Sequence, residues 1–486
     1  MAIVKAGMHK WQLSLIALLL VFFLTGCSIL QGGKDVEKSG PAVTAEEGAG
    51  GEVYAGEKSK AVSFVYTAQK VLTLTFNGMG DDKTMNELLD ELDKYHIKAT
   101  FFLPGNRVAE EPEIAREIVA RGHDVENNTL NRADLTQVSY QEAHKKIQRT
   151  SQIIEKETGV KPRYVRTRSG AFNDDIRLAA AQCGLEAVIS YSLNLQDWHK
   201  DSSQVVSGFV RKHVTRGGII ALNTEDNPQV VADIAIIAKA VSEVGYKLIP
   251  LSKLVAIGSE RKPLETIPGY DAAQINPDFK KAEYDLVYKG NGDKKEISLT
   301  FDDWGTDYTV TKILDILEQY SIKSSFFLRA NGPEKNPNLA RAILEAGHEV
   351  ANHTYSHPVI TTLTPEQLQD EVVKAHQIIT EAIQQKPAML FRPPTGAFDE
   401  ASAQAVAATG YRTIAMYDVT TYDWDTSKKA EDIVREIIEN TENGSVILLH
   451  MLDDIHTIEA LPAAIEGLKS KGYTFVTMSK LLGMEP

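Results

Sequence analysis

The sequence predicts two successive α/β domains, each built on a parallel sheet, open or closed into a barrel. Two observations lead there. In the second half, short β-rich runs alternate with longer helical patterns over about 200 residues, the pattern of strand–helix–strand crossovers. The first half repeats the second: "LTFNGMGDD" (74–82) is answered by "LTFDDWGTD" (299–307). The composition, 43% hydrophobic and 24% charged over 486 residues, is globular and long enough for two full cores.

The elements of the second half follow from periodicity. "EISLTF" (296–301) reads as a strand, and "DYTVTKILDILEQYS" (307–321) has apolar residues at helical spacing. "SSFFL" (324–328), "HEVANH" (348–353), "MLFRP" (389–393), "RTIAMYD" (412–418) and "SVILLH" (445–450) are further strands; "PEQLQDEVVKAHQIITEAI" (365–383) is a helix. Echoes continue along the chain. Residues 91–106 match 316–331, 120–136 match 345–361, 166–174 match 392–400, 196–201 match 422–427, and 217–223 match 444–450. An offset of 225 to 227 held in order means tandem duplication, not a short-period solenoid. In parallel α/β barrels the strand-to-helix loops converge on one face, so one cleft per domain is expected at the carboxyl ends of the strands.

The residues able to do chemistry sit at those ends. "HTYSH" places His353 and His357 four apart, after a strand and before Pro358, a spacing that suits a helix face or a compact turn. Asp303 ends another strand. Two imidazoles and one carboxylate form the donor set of a catalytic zinc-type site, with a position left for water.

In order, "TFDD", "HTYSH", "RPPTG", "YDW" and "LLH" resemble the motifs of the polysaccharide deacetylases, the NodB-homology group of carbohydrate esterase family four. The resemblance implies tandem distorted (β/α) barrels of the polysaccharide deacetylase type and metal-dependent removal of acetyl from an N-acetylated sugar. It implies that Asp303, His353 and His357 bind a divalent metal, most often Zn2+, and that Asp302 is the general base held by Arg392. Thr395 and Gly396 would border the substrate, with a backbone N–H near Thr395 on the oxyanion. His450 would be the acid oriented by Asp423, Trp424 a cleft wall, and Leu448 part of the acetyl-methyl pocket. The expected partner is an N-acetylglucosamine polymer, peptidoglycan first. Two departures bear on substrate choice: Trp304 stands where a small residue is usual, and Thr395 where an aromatic is usual. A non-catalytic glycan-binding surface lipoprotein, and a deacetylase of O-acetyl esters or another amide, are the alternatives.

The first copy holds Asn77 and Gly78 at the two acid positions, Asn128 and Arg132 at the two histidine positions, and Asn223 at the acid-catalyst position. Arg166, Gly170, Asp197 and Trp198 remain. Asn and Gly do not ionise, and Arg132 puts a cation where a metal would sit, so this copy is expected to be inactive. It would be a packing partner or a glycan-binding cleft walled by Trp198. His123 and its counterpart His348 lie outside the metal motif and read as structural; His456 reads as a surface residue.

At the N-terminus, Lys5 and Lys10 precede the apolar "LSLIALLLVFFL" (13–24), shorter than the roughly 20 residues a spanning helix needs and suited to a signal peptide. "LTGC" resembles the lipobox of bacterial lipoproteins, with Cys27 lipidated; an ordinary secretory signal is the alternative. The expected layout is a signal segment 1–27, a Gly/Ser/Glu/Lys-rich tether 28–61, an inactive domain 62–256, a linker 257–283 and an active domain 284–486. The lipid would hold the protein at the outer face of a bacterial membrane. The net charge of −14 argues against nucleic acid as a partner. Cys183, the other cysteine, reads as a buried structural thiol.

Overall fold

Each half is organised by one long apolar strand, Val71–Asn77 in the first and Glu296–Asp303 in the second, buried along all but the first residue. The computed structural model describes residues 53–195 and 202–484; residues 1–52 with Cys27, and Asp197 and Trp198, lie outside the described residues. The first half carries β1 (Lys60–Val62), β2 (Val71–Asn77), β3 (Thr100–Leu103), β4 (Asp124–Asn127), β5 (Tyr164–Val165), β6 (Ala187–Ile189), β7 (Leu193–Asn194), β8 (Ile219–Asn223) and β9 (Lys247–Leu248). The second carries β10 (Asp285–Val287), β11 (Glu296–Asp303), β12 (Ser325–Leu328), β13 (Glu349–Asn352), β14 (Leu390–Phe391), β15 (Thr413–Ala415), β16 (Val419–Thr420), β17 (Val446–His450) and β18 (Thr474–Phe475).

The spatial order is 1-6-5-4-3-2-8-7 with β9 on β2, repeated as 10-15-14-13-12-11-17-16 with β18 on β11. Pairings between these strands are parallel. The end strands of each order have no pairing with one another, so each domain is a curled, open (β/α) half-barrel of the distorted type expected. Parallel neighbours need crossovers, and the helices that supply them are amphipathic. Asp307–Gln319 buries Val310, Ile313, Leu314 and Leu317, and starts where the Thr306 side chain accepts from the Thr309 N–H. Pro365–Ile383 starts at a capping box between Thr364 and Gln367, with proline at its first position.

The duplication is visible in the cores. Phe76 stacks on Phe101 at 4.7 Å, and Phe301 on Phe326 at 4.9 Å. His123 Nδ1 accepts from the Ala99 N–H and His348 Nδ1 from the Ser324 N–H, each ring edge-on to the second phenylalanine. Burial pushes these imidazoles down to about 4 and about 3, so both are neutral core groups, as read from sequence.

Residues 53–61 lie on the first domain: the Tyr54 N–H donates to Tyr140 Oη, Lys58 pairs with Asp174, and β1 begins at Lys60. The stretch 257–283 is fastened to the second domain, with Ile267 and Ala273 buried, Gly269 O bonded to His376 Nε2, and Asn276 bonded twice to Gln369. The two half-barrels belong to one compact body, joined by buried polar contacts. Asn338 Nδ2 donates to the carbonyls of Val65 (2.8 Å) and Arg216 (2.6 Å), and its Oδ1 accepts from the Thr67 N–H (3.1 Å). Cys183 corrects the sequence expectation. It caps the end of helix Asp174–Gln182 and is only half-buried, because the helix ends before the apolar stretch does; the thiol is still pushed up to about 12 by burial. Among the described residues no helix is long and apolar enough to cross a membrane.

Candidate active site

Strand register assembles the site. Pairing of β11 with β17 sets Asp302 opposite His450, and pairing of β13 with β14 sets Asn352 opposite Phe391, so that His353 and Arg392 follow side by side. These ends surround a cleft of about 340 Å³ lined by Asp302, Asp303, His353, His357, Pro393, Thr395, Gly396, Tyr417, Trp424, Leu448 and His450.

Asp303 ends β11 with φ 76°, left-handed backbone that costs an L-residue about 1–2 kcal/mol. His353 and His357 lie on a compact turn, not a helix face. The Thr354 N–H donates to Asn352 Oδ1, the His357 N–H to Thr354 Oγ1, and Glu371 accepts from the N–H groups of Tyr355 and Ser356. One donor atom from each of Asp303, His353 and His357 lies within 4.8 Å of the others, the one such set of three among the described residues. His353 Nδ1 is engaged by the Arg392 carbonyl at 2.8 Å, which leaves Nε2 for the cleft. Burial pushes the His353 imidazole down to about 3; it is neutral at physiological pH, as a metal ligand must be. The donor set therefore fits a divalent cation.

Arg392 is fully buried. Its Nη1 donates to Asp302 Oδ1 (2.7 Å) and Thr300 Oγ1 (2.8 Å), while Nε and Nη2 bond the carbonyls of Ala415 and Met416. Burial raises the Asp302 carboxyl, opposed by the charges of Arg392 and His450. Across the cleft, buried Asp423 accepts from His450 Nδ1 (2.7 Å), the His450 N–H (2.7 Å), Thr457 Oγ1 (2.6 Å) and Thr421 Oγ1 (3.1 Å). Burial lowers the His450 imidazole, but the hydrogen bond and charge of Asp423, aided by Asp302 and Asp303, outweigh it and hold it above the ordinary histidine value. Trp424 stands edge-on to His450 at 5.1 Å. Thr395 (φ 61°) and Gly396 (φ 72°) form a tight turn at the rim.

Every second-copy residue to which the family resemblance gives a metal, catalytic or substrate role thus lines this cleft or bonds a residue that does. Trp304 does neither: its indole covers Gly332, where a Cβ would come within 2.2 Å, and it packs on the core. It is not among the residues that line the cleft. His456 is exposed ahead of helix Thr457–Ser470. Tyr417, Thr421, Thr457 and Glu371 escaped the sequence reading. Tyr417 reads as an ordinary strand residue, and the others act through contacts that no local spacing records.

The first copy keeps the frame. Asn77 faces Asn223 in register, Gly78 takes φ 85°, and Arg166 Nη1 bonds Thr75 Oγ1 (2.7 Å) and Asn77 Oδ1 (3.2 Å). The Arg132 guanidinium sits beside Gly78, paired to Glu225 at 2.5 Å and to Asp226. A depression of about 690 Å³ lies next to it, along Met79, Thr84, Glu87 and Glu225.

The model of the polysaccharide deacetylase family matches residues 65–188 and 289–414, and the chain belongs to this family. A peptidoglycan-N-acetylglucosamine deacetylase of Bacillus cereus is 34% identical over 203 residues, 41% of this chain and 72% of the relative. The peptidoglycan-N-acetylmuramic acid deacetylase PdaA of Bacillus subtilis is 31% identical over 211 residues, 43% of this chain and 79% of PdaA. The uncharacterized protein YlxY of Bacillus subtilis is 32% identical over 250 residues, 46% of this chain and 76% of YlxY. Among solved structures, the Bc1960 peptidoglycan N-acetylglucosamine deacetylase is similar with 33% identity and a TM-score of 0.40, over 42% of this chain and 94% of that one. BA3943, a CE4 family pseudoenzyme from Bacillus anthracis, gives 29% identity and a TM-score of 0.38, over 40% and 68%.

The two buried arginines separate structural from chemical roles. Arg392→Met strands the buried Asp302 charge and should cost about 3–5 kcal/mol in urea unfolding. Among the described residues Arg166 has no anionic partner, and burial holds it down to about 9, so Arg166→Met should cost markedly less. Equal losses would show that the Asp302 pair is not what sets the cost.

Proposed function

We propose that the second domain is a metal-dependent N-deacetylase of N-acetylglucosamine-containing polysaccharide, with peptidoglycan as substrate, working at the outer face of a bacterial membrane through a lipid on Cys27. One observation carries this reading: a base, a three-donor metal set and a histidine acid converge on a single cleft. The names of the Bacillus relatives support the choice of peptidoglycan.

Asp303, His353 and His357 would hold the cation, for which Zn2+ suits the donor set. When bound, it supplies Lewis acidity toward the amide carbonyl and acidifies water. Asp302, kept in place by Arg392, accepts the proton of the attacking water. The N–H near Thr395 donates to the carbonyl oxygen as it gains charge. His450, held above its ordinary value by Asp423, would in its acid form give the Nε2 proton to the departing amine. Leu448 lies beside the acetyl methyl, and Trp424 and Gly396 border the sugar. The first domain is catalytically inactive, since Arg132 with Glu225 and Asp226 takes the place of a metal.

Full-length protein should bind about one zinc per chain and lose acetate release from peptidoglycan on chelation. Asp302→Asn should keep the metal and lose turnover by on the order of 10²–10⁴-fold. A variant that deacetylates at the wild-type rate would refute Asp302 as base.

The pH dependence follows from the sign of the His450 shift. Its folded value lies above the ordinary one, so the acid form persists until pH rises through that raised value. Asp423→Asn removes the main upward influence, so the alkaline limb of kcat/KM should move to lower pH. An unmoved limb would assign the acid elsewhere.

A further inference from the structure

Asp82 and Asp307 open corresponding helices 225 positions apart, yet Asp82 is exposed and Asp307 is 2% exposed. The first domain makes the difference. Asp307 Oδ1 accepts from the Arg216 N–H (2.9 Å) and the Tyr246 hydroxyl (2.5 Å), both of the first copy, and Oδ2 accepts from Asn336 Nδ2. Tyr246 Oη and Arg216 Nη2 each also lie 3.1 Å from Thr311 Oγ1, one turn along the same helix. A carboxylate this deeply buried stays only where its donors are fixed.

Asp307 lies four residues beyond Asp303, and the turn between them is held throughout. Trp304 covers Gly332, Gly305 lies so close to the Met451 carbonyl that a Cβ would come within 2.0 Å, and the N–H and Oγ1 of Thr306 donate to Asp453 Oδ1. The last anchor, at Asp307, is the one the other copy supplies. We infer that the first domain is a positioning element of the metal centre: Tyr246 and the Arg216 N–H hold Asp307, and Asp307 holds the turn that presents Asp303. This rests on reading Asp303, His353 and His357 as a metal site.

The test uses full-length wild type, Tyr246→Phe, Asp307→Asn and Tyr66→Phe. The last removes another inter-domain bond, from Tyr66 Oη to Ala382 O (2.6 Å), that involves none of residues 302–307. Zinc affinity is measured by competition with a chromophoric chelator, the Co2+ site by its absorption spectrum, and stability by thermal unfolding. Tyr246→Phe and Asp307→Asn should weaken zinc binding about tenfold and alter the Co2+ spectrum, whereas Tyr66→Phe should lower the melting temperature alone. Should Asp307→Asn fail to fold, the zinc affinity of Tyr246→Phe decides the matter. Unchanged zinc affinity in Tyr246→Phe, or an equal loss in Tyr66→Phe, overturns the inference and leaves the deacetylase reading standing. A wild-type chain that takes up neither ion overturns both.

Discussion

The buried pair of Arg392 and Asp302 is the constraint around which the second domain is arranged. The guanidinium reaches from the end of β14 to side chains on β11 and to backbone carbonyls at and after β15, while the Arg392 carbonyl holds His353. Asp302 and His353 are therefore parts of one hydrogen-bonded unit. Desolvation would favour a neutral Asp302, and the cation beside it resists that. The role proposed for Asp302, accepting a proton, needs this balance: ionised enough to take the proton, yet shielded from bulk water.

The first copy shows the same frame with its charges removed. Arg166 keeps its bonds to a strand hydroxyl and to two carbonyls, but its partner is the neutral Asn77. The unusual backbone also persists: Gly78 matches Asp303, Thr129 matches Thr354, and Arg132 matches His357, all at positive φ. The fold thus depends on strand register and turn conformation, which do not require the chemistry. Arg132 brings its own counterions, Glu225 and Asp226, at the position that matches His357.

Duplicated sequence does not give duplicated surroundings. The same aspartate at the start of the same helix is solvated in one copy and enclosed in the other, because the tandem arrangement lays one domain against that helix and leaves the other free. The buried donors at this contact, Asn338, Tyr246 and the Arg216 backbone, are each bonded across it. Buried polar groups that need partners from both domains fix a geometry in a way that apolar packing alone does not.

Much of the site was legible because its residues are polar interruptions at the ends of apolar strands, where a polar side chain has no packing reason to be. Asp302, Asp303, His353, Arg392 and His450 all announce themselves this way. Tyr417 does not, since an aromatic in a strand needs no further explanation, and Glu225 and Asp226 read as loop acids until Arg132 is seen between them. The sequence alone determined the tandem repeat, the parallel α/β class and the candidate residues that line the cleft, since these depend on periodicity and composition within contiguous segments. The tertiary structure alone decided that the half-barrels stay open, that Trp304 packs over Gly332 outside the cleft lining, that Cys183 is half-buried and that Asp307 is enclosed. Those outcomes depend on how separate elements curve and meet in space, and residues far apart in sequence leave no local periodicity to record it.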